Sequence, residues 1–222
     1  MDTAEKKVRV SANDYLSYLD SIEGRAEFYD GQIFDMAGGS NNHSKIGVNC
    51  SSALLSALSH KDCSVYGADA NLAIDAANAI VMPDVHVVCG DEKYSNQNSK
   101  IHTNAIVVVE VLSPSTGLHD RGGKFHIYMK TPTLQEYVLI DQFQPQVDVL
   151  RRSDTGFWLF QSYSGMEEVI HLASLDIDIP LAASTQRSSL IRIRISPSNP
   201  NFANFEQWAL QKKSQKSPYT II

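Results

Sequence analysis

Apolar and polar positions change their period several times along the chain, and each change predicts an element. Residues 11–21, SANDYLSYLDS, open with Ser11 and carry Asp14 three places on, the reciprocal capping pattern of a helix start. The stretch AEFYDGQIFDM (26–36) breaks at Asp30-Gly31, a dipeptide that accepts positive φ and so joins two short antiparallel strands. After GGSNNH (38–43), where Asn41 or Asn42 can act as cap, apolar residues at 46, 50, 54, 55 and 58 keep helical spacing. That spacing predicts a helix from His43 to Leu58 with one buried face.

Three strand-like runs follow: CSVYGADANLAID (63–75), AIVMPDVHVVC (79–89) and NAIVVVEVLS (104–113). The third is almost wholly apolar, as a strand covered on both faces should be. DRGGKFHIYMKT (120–131) is helical in spacing despite two glycines, and Pro132 ends it. QEYVLIDQ (135–142) is a further buried strand, and PQVDVLRR (145–152) with GFWLFQSY (156–163) suggests an antiparallel pair. Residues 43–141 therefore predict the order helix, three strands, helix, strand, an α/β arrangement on a mixed sheet. Beyond residue 184 the chain turns polar and rich in proline, with a brief strand signal at LIRIRI (190–195) and a short helix near 205–212. The expected organisation is one domain over 1–184 and an extension over 185–222.

Composition narrows the classes. In 222 residues, 43% hydrophobic and 20% charged, there is material for a sizeable core, and a net charge of −6 argues against a general nucleic-acid coat. No apolar run approaches the roughly 20 residues needed to span a bilayer, and MDTAEKKVRV holds no apolar signal region. Cys50, Cys63 and Cys89 are odd in number and set among apolar residues, so they read as core thiols of a reducing compartment rather than a disulfide or zinc site. A cytoplasmic protein is expected.

The chemistry lies in two carboxylates. Asp84 follows Pro83 at a strand start, where alone it reads as an edge aspartate facing water. Glu110 stands among Val107, Val108, Val109, Val111 and Leu112, where an ionised carboxylate is costly unless it is paired or metal-bound. Consecutive antiparallel strands could set the two acids side by side, an arrangement that makes sense with a cation between them. Lys124, alone a solvated helix lysine, follows on a helix able to fold back over both. Two acids, a hard divalent ion and an ammonium make a device for hydrolysing phosphodiesters.

Asp84 in PD, Glu110 in EVLSPST, then HDRGGKFHIY and LQEYVLID, with RAEFYDGQIFDMAGGSNNHSKI upstream, resemble the Uma-type "putative restriction endonuclease" family, within the PD-(D/E)XK nuclease superfamily. The likeness covers roughly residues 10–182. It implies a restriction-endonuclease-like α-β-β-β-α-β core, Mg²⁺ or Mn²⁺ as cofactor, DNA as substrate and a homodimer. It implies metal binding by Asp84, Glu110 and the Val111 carbonyl. The superfamily lysine two residues past the glutamate is Leu112 here, and Lys124 is the matching migrated position. Glu27 matches an acidic position of the family, against a plain hairpin salt bridge, and the resemblance brings His43 near the site, against a structural role.

Weaker candidates are Asp69, read as strand-edge, Asp120, able to orient Lys124, and Glu136 and Asp141 flanking a strand. Ser113 and Ser115 lack the G-x-S-x-G turn of a serine hydrolase. The alternatives to a DNA endonuclease are a catalytically inactive module that binds DNA or protein in the same cleft, and a hydrolase of smaller phosphate compounds.

Overall fold

The computed structural model describes residues 9–185 apart from 37, 97 and 115. The expected extension over 185–222 therefore lies, Thr185 excepted, outside the described residues, as does Ser115. Helix α1 (Ala12–Ser21) carries the expected capping box: the Ser11 side chain accepts from Asp14 N while the Asp14 side chain accepts from Ser11 N. Strands β1 (Arg25–Tyr29) and β2 (Gln32–Met36) form the expected hairpin. Its turn has positive φ at both Asp30 (46°) and Gly31 (80°), as a two-residue turn matched to strand twist requires.

Helix α2 (Asn41–Ala57) starts two residues earlier than expected, because Ser40 is its N-cap, accepting from His43 N, rather than Asn41 or Asn42. Ile46, Cys50, Leu54 and Leu58 are buried, whereas Leu55 stands exposed. Two of the three strand-like runs divide. The first becomes β3 (Cys63–Gly67) and β4 (Leu72–Ile74), parted by an exposed turn that holds Asp69 off any strand edge; the second becomes β5 (Ala79–Val81) and β6 (Val85–Cys89). β4 and β5 pair with each other and join the hairpin in a sheet ordered β2-β1-β5-β4. The remaining strands are β7 (Val107–Leu112), β8 (Glu136–Asp141), β9 (Gln146–Arg152), β10 (Trp158–Ser164), β11 (Val169–Leu172) and β12 (Ile177–Pro180), followed by a helix over Leu181–Thr185.

The central sheet is ordered β10-β9-β8-β7-β6-β3; β7 and β8 run parallel and the other neighbours antiparallel. This is the expected mixed-sheet α+β architecture with a restriction-endonuclease-like core. Alternation along β7 divides the core in two. Val107, Val109 and Val111 pack with Ile46, Cys50 and Leu54 of α2, while Val108 and Leu112 pack with Ile127 and Tyr128 on the opposite side. Glu110 shares the parity of that second group.

The cysteine reading needs correction. Cys63 and Cys89 face each other across β3 and β6 and form a disulfide; Cys50 alone is a buried free thiol. Each partner sat in its own apolar run, so spacing along the chain did not reveal their cross-strand register. The inference of a reducing compartment, which rested on free thiols, loses that footing. Among the described residues no helix is long and apolar enough to cross a membrane.

Candidate active site

The site forms where β7 ends. Between β7 and β8 the chain passes through α3 (Gly117–His119), a π-helical turn (Asp120–Lys124) and α4 (Phe125–Tyr128). The wider turn holds two glycines, and at Gly123 a Cβ would come within 2.5 Å of His119 Nδ1, so the His119 ring packs over the turn where a side chain would otherwise stand. Lys124 and Tyr128, four residues apart, share one face and both reach Glu110. Lys124 Nζ lies 3.0 Å from Glu110 Oε1, and the Tyr128 hydroxyl donates to that same oxygen at 2.7 Å. Both donors fall on Oε1, which among the described residues leaves Oε2 as the oxygen available to a proton or a metal ion.

Lys124 is not a solvated helix lysine: it is 5% exposed and also lies 3.0 Å from Glu27 Oε1. Glu27 is fixed in turn by Met82, whose backbone N donates to Oε1 at 2.9 Å. Its partner is thus the site lysine rather than a residue of its own hairpin. Asp84, 9% exposed, closes the other side. Its Oδ2 accepts from Val111 N at 2.8 Å and its Oδ1 lies 2.9 Å from His43 Nε2, in the first turn of α2. Gly39 lets that imidazole in, since a Cβ there would sit 2.9 Å from His43 Cδ2. The five side chains Asp84, Glu110, Lys124, Glu27 and His43 are thus brought together, from α2, the π-helical turn, the hairpin, β7 and the bend that leads into β6.

Burial dominates the electrostatics. It pushes the Glu110 carboxyl up to about 8; Lys124 opposes the shift, and Asp84, Asp120 and Glu27 add to it. Burial alone would favour the neutral amine of Lys124, but Glu110, Glu27 and Asp120 together outweigh it and hold the ammonium's pKa above its usual value. The Tyr128 hydroxyl is raised well above its ordinary range, by burial first and then by Glu110, so it acts as a donor. Asp120 is itself buried, with its carboxyl raised by burial against a hydrogen bond from Thr116.

The other candidates have structural roles. Glu136 is fully buried and accepts from Arg151 Nε at 2.7 Å and from Ala173 N and Ser174 N, tying the sheet to the turn between β11 and β12. Asp141 caps the next turn through Phe143 N and Gln144 N. Ser113 caps the loop, accepting from Thr116 N at 3.1 Å. Two residues at the site were absent from the sequence reading, Tyr128 and Gln142. Gln142 donates from Nε2 to Leu112 O at 2.8 Å and accepts from Ser40 Oγ at 2.7 Å, linking the end of β7 to the start of α2. The K-x-x-x-Y spacing of 124–128 could have signalled Tyr128; nothing local signals Gln142. Leu112, where the superfamily carries lysine, is 7% exposed and belongs to the apolar core.

Among the described residues no three His, Cys, Asp or Glu side chains form a complete ligand set. Asp84 and Glu110 nevertheless fit a hard divalent ion of the Mg²⁺ type, which is held by one or two carboxylates and keeps several waters.

The mixed-sheet α+β core is that of a nuclease-fold class, and comparison narrows it. Residues 12–183 match the Uma2 family, described as "Putative restriction endonuclease", and the chain belongs to that family. Two uncharacterized proteins of Synechocystis sp. are similar. One, slr1290, is 35% identical over 72% of this chain and 84% of its own length; the other, sll1609, is 30% identical over 76% and 95%. A crystal structure of a "putative nuclease belonging to DUF820" from Anabaena variabilis shares the fold, with a TM-score of 0.64 at 16% identity over 78% of this chain and 96% of that one.

Proposed function

We propose that the protein is a metal-dependent endonuclease that hydrolyses DNA phosphodiester bonds. The observation that carries this reading is Lys124, buried between Glu110 and Glu27 beside Asp84 at the end of β7. A cluster that costs this much desolvation is better explained by chemistry than by stability.

Asp84 and Glu110, with the Val111 carbonyl, would hold Mg²⁺ or Mn²⁺. When bound, the ion supplies Lewis acidity toward the phosphodiester. The chain's own groups do the rest. Tyr128 and Lys124 hold Glu110 through Oε1 and fix the direction of Oε2. The Lys124 ammonium, kept charged by Glu27 and Glu110, offsets the negative charge that builds on the phosphoryl oxygens in the transition state. His43 restrains Asp84, and Glu27 keeps the ammonium in place. The partner in solution is a second copy of the chain: β10 lies at the edge of the sheet with Leu159 and Phe160 exposed, a seam on which two sheets can meet.

One observation favours a second reading, an inactive module that binds DNA or protein: Lys124 already satisfies both carboxylates with which it pairs. Incubation with supercoiled plasmid and Mg²⁺ or Mn²⁺, beside an EDTA control, separates the two. Nicked or linear product that EDTA abolishes supports the enzyme; retained DNA without cleavage supports the module.

A further inference from the structure

Two apolar side chains stand in water on the segments that follow β7 and β8: Leu118, 92% exposed, and Phe143, 75% exposed. Both belong to segments that leave the sheet at one edge. β7 and β8 are parallel, with Leu112 opposite Asp141, so α3 and the turn after β8 emerge next to each other beyond the strands' C-terminal ends. That is the edge at which open α/β sheets hold ligands.

The turn that presents Phe143 is firmly mounted. Asp141 Oδ1 accepts from Phe143 N at 2.7 Å and from Gln144 N at 3.2 Å, an Asx turn. The preceding Gln142 is 6% exposed and donates to Leu112 O, while its side-chain oxygen accepts from Ser40 and its backbone carbonyl from Asn42. Phe143 therefore rides on the same frame that fixes α2, whose His43 restrains Asp84. A phenyl ring left in water forfeits the free energy of burial, and a rigid mount lowers the ordering entropy that a ligand would otherwise have to offset.

We propose that Phe143 is the platform on which an unpaired base of the substrate stacks, so that the site takes single-stranded or locally unpaired nucleic acid in preference to intact duplex. A phenyl ring offers a π-face and no hydrogen bonds, so it accepts any base whose own faces are free. Inside a duplex those faces are covered, and the ring could reach one only by unstacking a step. The occupant rests on the nuclease reading above; the preference for unpaired bases goes beyond it.

The test is fluorescence anisotropy in EDTA with a labelled 20-nucleotide single strand and the matching duplex, on wild type, Phe143→Ala, Phe143→Tyr and Phe157→Ala. The expected result is that Phe143→Ala weakens single-strand binding by a factor of about 10, with Phe143→Tyr restoring it and Phe157→Ala, an equally exposed phenyl just before β10, unchanged. Duplex binding should change less than twofold. Equal single-strand binding by wild type and Phe143→Ala overturns the proposal, as does equal loss for single strand and duplex. So does unchanged binding with a loss of dimer mass, which would assign the ring to a second copy. A parallel plasmid digestion with Mn²⁺ separates the two ideas: cleavage by wild type with no single-strand preference removes the stacking role alone, whereas neither binding nor cleavage removes the nuclease reading as well.

Discussion

Replacing Lys124 by methionine removes the ammonium while keeping the length of the stem, and its cost should depend on pH. Lys124 is 5% exposed and pairs with two carboxylates at 3.0 Å. Breaking a buried pair by deleting one partner leaves an uncompensated charge and costs about 3–5 kcal/mol. Glu110 can evade part of that cost by taking a proton, because burial already raises its carboxyl from about 4.5 to about 8. A carboxyl raised in the folded state binds more protons there than in the unfolded chain, so its contribution to stability is complete at low pH and is lost as pH rises towards about 8. Without the ammonium the carboxyl titrates higher still and the loss deepens. We expect Lys124→Met to cost about 2 kcal/mol at pH 6, mainly lost hydrogen bonds, and about 4 kcal/mol at pH 9. Urea denaturation at the two pH values measures this. Single-turnover cleavage at saturating Mn²⁺ should fall by a factor of about 100 for want of a transition-state charge partner. A difference below about 1 kcal/mol at both pH values would refute the view that Lys124 is locked between ionisable carboxylates.

Binding of Mn²⁺ should displace the proton from Glu110, so affinity should rise with pH up to about 8 and then level. Titration calorimetry in two buffers of different ionisation enthalpy reads the released proton, and a pH-independent affinity would contradict the assignment of Glu110 as a ligand. Reduction of the Cys63–Cys89 disulfide, which closes a separation of 26 residues, should lower stability by about 3 kcal/mol on loop entropy. Thermal melts with and without dithiothreitol test this, and an unchanged Tm would show that the bond adds nothing.

Where local chemistry decided the outcome, the sequence could be read directly. Ser11 with Asp14, Asp30-Gly31 and the valine run of β7 each specify their element within a few residues, and the structure places all three as expected. Glu110 was legible for the same reason, since an acid amid valines has no packing rationale. What stayed hidden depends on contacts across the chain. The runs 63–75 and 79–89 look continuous, but β4 and β5 leave the central sheet to pair with the β1–β2 hairpin, and only the fold decides which sheet a short apolar segment joins. Cys63 and Cys89 meet through register, 26 residues apart. Gln142 links Ser40 to Leu112 across 102 and 30 residues, and its local sequence resembles any strand end. The π-helical turn over Asp120–Lys124, which brings Lys124 and Tyr128 onto one carboxylate oxygen, has no signature beyond two adjacent glycines.

The central claim is that Asp84 and Glu110 serve a metal ion that cuts DNA. The most direct measurement is the initial rate of supercoiled-plasmid nicking in Mn²⁺ by wild type and Asp84→Ala, purified in parallel and matched for thermal stability. Asp84 accepts one backbone hydrogen bond and restrains His43, so its loss should spare the fold. The account predicts metal-dependent nicking by wild type and a loss of about a thousandfold or more in the variant. Equal rates for the two proteins, or nicking by wild type that persists in EDTA, would contradict it.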